Sequence, residues 1–143
     1  MQSIILPAIG VVRSPLERAD QAPRQGPESG QEAVIELDPA WLPGLAGLTP
    51  GRDLWVIYHF HLAGQPELMV HPRGDRSRPL TGLFNSRSPR RPAPLGLTLV
   101  RLLSLDGNRL LVRGLEAVEG TPVLDLKPYV PGLDQPRPQG GPT

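Results

Sequence analysis

Asp53-Leu54-Trp55-Val56-Ile57-Tyr58-His59-Phe60-His61-Leu62 decides the fold. β-Branched and aromatic side chains occupy it throughout, and these fit a pleated strand better than a helix. It reads as a central strand. After it, the turn Ala63-Gly64-Gln65-Pro66 leads to a further strand over Glu67 to His71, and Gly82-Leu83-Phe84 is a candidate short strand. Leu97 to Leu105 and Arg109 to Leu115 flank Asp106-Gly107-Asn108, a strong hairpin signal. Val123 to Leu126 follows the turn Glu119-Gly120-Thr121-Pro122.

Toward the amino terminus, Ile4 to Val12 is apolar and rich in branched residues, and Arg13-Ser14-Pro15 closes it as a strand. Glu17 to Gly30 is polar and broken by Pro and Gly, which predicts a mobile loop. Ala33 to Leu37 is a second short strand. Asp38-Pro39 reads as an N-cap followed by Pro at the first helical position. The helix it starts, through Trp41 and Leu45, has room for a turn or two before Gly47 and Pro50. The expected fold is all-β: a small closed β-barrel of about seven short strands, with long loops and at most one or two short helices. Closure removes the exposed edges that such strands would otherwise present. Residues 1–131 form one domain in this reading, and 132–143 a flexible Pro/Gly-rich tail.

Composition agrees. Nineteen Pro and 16 Gly in 143 residues are hostile to long helices and natural for strands joined by turns. The lack of cysteine excludes a disulfide framework, a zinc ribbon and a thiol nucleophile. No run of about 18 apolar residues suggests a membrane helix. The amino terminus lacks the basic start and long apolar stretch of a secretory signal, which makes the cytoplasm the expected setting.

The net charge is only +1, but its distribution is uneven. Arg73, Arg76, Arg78, Arg87, Arg90 and Arg91 fall between His71 and Arg91 with Asp75 as the only acid, giving that segment +5. Two readings stand: a solvated, proline-stiffened loop, or a docking site for an anionic partner such as nucleic acid. Arginine's planar fork suits phosphates and stacks on bases.

No GxGxxG, GxxxxGK[ST], GxSxG or HExxH pattern occurs, so the usual marks of phosphate-loop enzymes, elbow-type serine hydrolases and zincins are missing. His59 and His61 on one strand would share a face about 7 Å apart. With Glu67 and Gly74 they faintly echo a cupin metal motif, but the spacing is off and no later His completes a ligand set; they read as structural histidines, and no metal site is assigned. Asp125, between Leu124 and Leu126, either points to solvent or is held in a polar site with Lys127 as its partner.

Five blocks resemble a known family. Ile9-Gly10-Val11-Val12-Arg13-Ser14-Pro15 looks like its opening motif, and Leu54 to His61 like its "LWV…FH" strand. His71-Pro72-Arg73-Gly74-Asp75 is similar to its shorter members. Phe84-Asn85-Ser86-Arg87-Ser88-Pro89-Arg90-Arg91-Pro92-Ala93-Pro94-Leu95-Gly96-Leu97 resembles its signature, departing from it at Ser86, where the family has Thr, and at Ala93, where it has Asn. Gly120 to Tyr129 resembles its closing "G-T-P-V-x-D-I-K-P-Y". The family is the TrmO (TsaA-like) group of S-adenosylmethionine-dependent tRNA methyltransferases.

The resemblance implies a compact β-barrel acting as a homodimer, with S-adenosylmethionine near the subunit interface. It implies methylation of N6 of the threonylcarbamoyl-modified adenosine beside the tRNA anticodon, so the anticodon stem-loop is the expected partner. Arg87, Ser88, Pro94, Gly96, Asp125, Lys127 and Tyr129 are the implied cofactor residues. Asp125 is also the candidate catalytic acceptor for the acidic N–H. Arg13, Ser14, Arg73, Arg76, Arg78, Arg90 and Arg91 are the implied RNA contacts. Tyr129 either stacks on an adenine or closes the barrel end. The alternatives are a relative that methylates a small molecule and a non-catalytic RNA- or partner-binding barrel.

Overall fold

The computed structural model describes residues 1–15 and 30–136. Its strands are β1 (Gly10–Arg13), β2 (Glu32–Leu37), β3 (Asp53–His59), β4 (Met69–Val70), β5 (Thr81–Gly82), β6 (Leu95–Asp106), β7 (Arg109–Arg113) and β8 (Pro122–Pro128). Six of them close a barrel in the order β1-β2-β7-β6-β3-β8, and β4 pairs with β5 as a separate two-stranded unit. All pairings are antiparallel. The expected closed all-β barrel is what forms.

The barrel closes around one alternating set of side chains from each strand. Leu54, Val56 and Tyr58 of β3 meet Val100 and Leu102 of β6, Leu110 and Val112 of β7, Ile35 of β2, Val12 of β1 and Val123 of β8. Tyr58 is the largest buried side chain. Its hydroxyl shares a hydrogen bond with the Thr98 hydroxyl at 2.9 Å, and its ring meets the edge of Phe60 at 5.3 Å. The ring finds room because its register partner across the strands is Gly96. The hairpin signal is realised: Gly107 sits at φ 58° in the β6–β7 turn, a left-handed conformation that glycine adopts freely. Asn108 then donates its side-chain amide to Leu37 O at 2.7 Å, tying the turn to β2.

Several boundaries move. β1 begins at Gly10 rather than Ile4, and Ile5 is 98% exposed. Its pairing partner β2 ends at Leu37, and Pro39 turns the chain into a 3₁₀ segment, so no strand remains for residues 4–8. β3 ends at His59, and His61 lies in the following turn, so the two histidines share no strand face. The expected strand over 67–71 shrinks to β4, and that over 82–84 becomes the last residue of β5 followed by a 3₁₀ turn, Leu83–Asn85. β7 stops at Arg113, while β8 runs from Pro122 to Pro128. Asp38 does cap the next segment, accepting from Ala40 N–H at 2.9 Å. That segment, Pro39–Leu45, is 3₁₀ because Pro43 lies within it and cannot donate to an α-helical ladder. A single helical turn, Pro131–Asp134, stands where the tail was expected to begin. The loop expected over 17–30 lies, but for Gly30, outside the described residues, as do 137–143.

Candidate functional site

Asp125 owes its position to an irregularity in β8. Val123 faces the core opposite Tyr58, and strict alternation from there would turn Asp125 inward too. The register slips between Ile57 and Tyr58, so that Val123 pairs with Tyr58 but Asp125 pairs with Ile57. A bulge of this kind re-aims the side chains after it. Leu126 packs against the core, and Asp125 and Lys127 come out beside Ile57 and Trp55. Their carboxylate and ammonium groups pair at 3.1 Å, both half-exposed. Asp125 Oδ1 also accepts from Leu126 N–H at 2.9 Å, which fixes the carboxylate.

Around that pair the outer face is unusually apolar. Rows across β6, β3 and β8 read Leu97–Ile57–Asp125 and Leu99–Trp55–Lys127. Tyr129 lies just past β8, its ring 6.1 Å from that of Trp55, and its N–H bonds Asp53 O at 3.0 Å. Below them Arg101 grips Asp53 with two hydrogen bonds, 2.9 and 3.2 Å. Leu97 remains 46% exposed in the middle of the sheet.

The arginine-rich connection leaves the barrel after His59 and returns at Leu95, two directly paired residues. Phe60 N–H donates to Pro94 O at 2.8 Å and pins its base. Within it the arginines divide by role. Arg90 pairs with Glu67 and donates to Gln65 O; Arg91 donates to the carbonyls of Ser86, Ser88 and Leu83. Ser88 Oγ accepts from Arg90 N–H, and Ser86 Oγ from Ser88 N–H, both at 3.3 Å. These residues shape the loop. Arg78 leans on Asp75 at 3.7 Å. Arg73, Arg76 and Arg87 are exposed and have no ion-pair or hydrogen-bond partner among the described residues. Arg73 sits at φ 57°, a left-handed conformation rare for a side chain of its size.

Asp75 closes a tight turn, accepting from both the hydroxyl and the N–H of Ser77. Those hydrogen bonds, helped by Arg78, hold its pKa below the ordinary carboxylate value. A depressed folded-state pKa means that the turn is favoured above the ordinary value and weakens as pH falls through the folded one. A carbon-detected titration should therefore give Asp75 a midpoint below that of a free aspartate, and Ser77→Ala should raise it.

The remaining expected residues lie apart. Gly96 is buried beneath Tyr58, and Pro94 serves as the loop's carbonyl anchor. Arg13, at the end of β1, pairs with Glu119 at 3.4 Å and approaches Glu36 at 4.0 Å, with Ser14 following it. These sit at the loop end of the barrel and do not join Asp125. Sequence reasoning missed a cleft of about 560 Å³ at the opposite end, between the 3₁₀ segment and β8, lined by Trp41, Leu45, Leu48, Leu54 and Leu126 with Arg52, Asp125 and Lys127 at its polar part. Its walls come from segments far apart in sequence, so no local pattern announces it. Among the described residues no helix is long and apolar enough to cross a membrane.

The site is thus a carboxylate–ammonium pair on the outer face of a closed antiparallel all-β barrel. Residues 11–135 match the family model of the tRNA-methyltransferase O N-terminal domain, and the chain belongs to that family. A probable S-adenosyl-L-methionine-binding protein of Methanothermobacter thermautotrophicus is 44% identical over 126 residues, covering 88% of this chain and 90% of the relative. The mouse tRNA (adenine(37)-N6)-methyltransferase is 36% identical over 94 residues, 65% of this chain and 22% of that protein. The crystal structure of TrmO from Pseudomonas aeruginosa superposes with a TM-score of 0.77 at 31% identity, over 94% of this chain. The chain thus spans nearly all of the archaeal relative but 59% of the Pseudomonas chain.

Proposed function

We propose that this chain is an S-adenosylmethionine-dependent methyltransferase acting on N6 of the threonylcarbamoyl-modified adenosine beside the tRNA anticodon, as a cytoplasmic homodimer. The observation that carries the reading is the outward Asp125–Lys127 pair, set beside Trp55 and Tyr129 at mid-barrel, below the end from which the arginine loop leaves. That donor set suits the cofactor. Its adenine and sulfonium fit aromatic faces, and its hydroxyls and ammonium fit a carboxylate. When bound, S-adenosylmethionine supplies an electrophilic methyl group.

The protein's own part is acceptor placement and proton removal. A carbamoylated exocyclic nitrogen has a more acidic N–H than plain adenine, so one positioned carboxylate suffices as acceptor. Asp125 is that group: it keeps lone pairs free beyond Lys127 and Leu126 N–H, and Lys127 holds it in place. Arg73, Arg76 and Arg87, unengaged within the described residues, serve the phosphates of the stem-loop. A second copy would cover Trp55 and Ile57, the apolar residues that β3 presents on its outer face while Leu54, Val56 and Tyr58 fill the core. Packing copies along Leu95, Leu97 and Ile57 would enclose the site.

Incubation with labelled S-adenosylmethionine should label tRNA carrying the threonylcarbamoyl group and leave unmodified tRNA unlabelled. Label in neither would overturn the reading; transfer to a small acceptor alone would favour the small-molecule alternative. Arg87→Ala should weaken tRNA binding several-fold and flatten its salt dependence by about one unit of log–log slope. Arg113→Ala, at an exposed position that ends β7, should leave both unchanged.

A further inference from the structure

Phe84 is 81% exposed, although its loop neighbour Leu83 is buried. The Arg91 guanidinium lies over its ring, 5.7 Å from the centroid. That guanidinium is not free to swing: it donates to Ser86 O at 2.8 Å, Ser88 O at 3.2 Å and Leu83 O at 3.4 Å. The ring is thus backed by a fixed cation on one side and open to solvent on the rest of its surface. Its stem is fixed too, because Leu83 N–H bonds Leu68 O at 2.9 Å and Asn85 bonds Thr81.

We propose that Phe84 is the stacking platform for an unpaired base of the bound RNA, a role that rests on the tRNA-methylating function above and adds a recognition residue to it. A rigid, solvent-facing aromatic ring offers a flat apolar surface to any base, and stacking of this kind anchors single-stranded nucleotides. The charge around it selects an RNA base over a second copy of the chain. The segment from His71 to Arg91 carries +5, and self-association through Phe84 would set two such segments against each other, a like-charge juxtaposition that disfavours contact. Arg87, three residues on, and Arg73 and Arg76, in the loop closed by the β4–β5 pair, would meet the phosphates flanking the stacked base.

The test measures binding of a fluorescent anticodon stem-loop RNA to the full chain and to Phe84→Leu and Phe84→Trp. Phe84→Leu should lose about ten-fold in affinity, and Phe84→Trp should retain it, with indole fluorescence quenched on addition of RNA. Heats of S-adenosylmethionine binding and the sedimentation mass should match the parent in both. RNA binding unchanged in Phe84→Leu overturns the proposal while leaving the methyltransferase reading intact. A loss of cofactor affinity reassigns the ring to the cofactor's adenine, and a fall in mass reassigns it to a subunit interface; each also overturns it. If the parent binds no stem-loop, both readings fall together.

Discussion

Gly96→Ala should melt roughly 10 °C below the parent protein, because overpacking a closed core at the upper end of about 3 kcal/mol moves a chain of this size by that much. A Cβ at Gly96 would lie 2.4 Å from two ring carbons of Tyr58 and 2.9 Å from its hydroxyl. Neither partner can yield cheaply. The Tyr58 ring is 1% exposed, held at its tip by Thr98 and at its edge by Phe60. Gly96 itself is held in register by β3. Pairing the substitution with Tyr58→Leu should recover part of the loss, since the smaller side chain vacates the contested space. Strictly additive losses in thermal denaturation would refute the steric account. The same variant separates two roles for this glycine. Cofactor affinity measured well below the melting point should stay near the parent value if packing is its whole function, and should collapse if its backbone approaches the cofactor.

Asp125→Asn should cut methyl transfer by about 10²- to 10⁴-fold, the usual range for removing a positioned proton acceptor. It should shift the melting temperature little, because a half-exposed ion pair contributes about 0–1 kcal/mol. An amide keeps the shape and the hydrogen bond from Leu126 N–H but has a weak proton affinity. Calorimetry with S-adenosylmethionine divides the effect. Unchanged binding with lost turnover marks Asp125 as a proton acceptor, whereas lost binding marks it as a cofactor ligand. Full activity would remove it from the site altogether. Lys127→Ala should have a milder effect, since it only steadies the carboxylate.

The strands that read clearly in the sequence are those where composition and alternation agree. β2 and the β6–β7 hairpin match their expected spans within two residues, and Gly107 falls at the turn that Asp106-Gly107-Asn108 announces. The failures share a cause. Ile4-Ile5-Leu6 has strand chemistry but no neighbour to bond, because a strand exists only where a partner offers its backbone groups. His61 and Phe84 likewise fall outside strands where the connecting loop pulls the chain from its partner.

The residues by themselves determined that this chain is an all-β domain with a local arginine-rich segment, and their order in five blocks determined the family. Which arginines are available for a partner was not legible, because Arg90 and Arg91 find acceptors that only the folded loop assembles. Nor was the outward turn of Asp125, since it depends on one residue of slippage between β3 and β8. Local side-chain chemistry sets propensity and alternation, whereas register and closure arise from pairing between distant segments, and it is pairing that decides which face the Asp125 carboxylate sees.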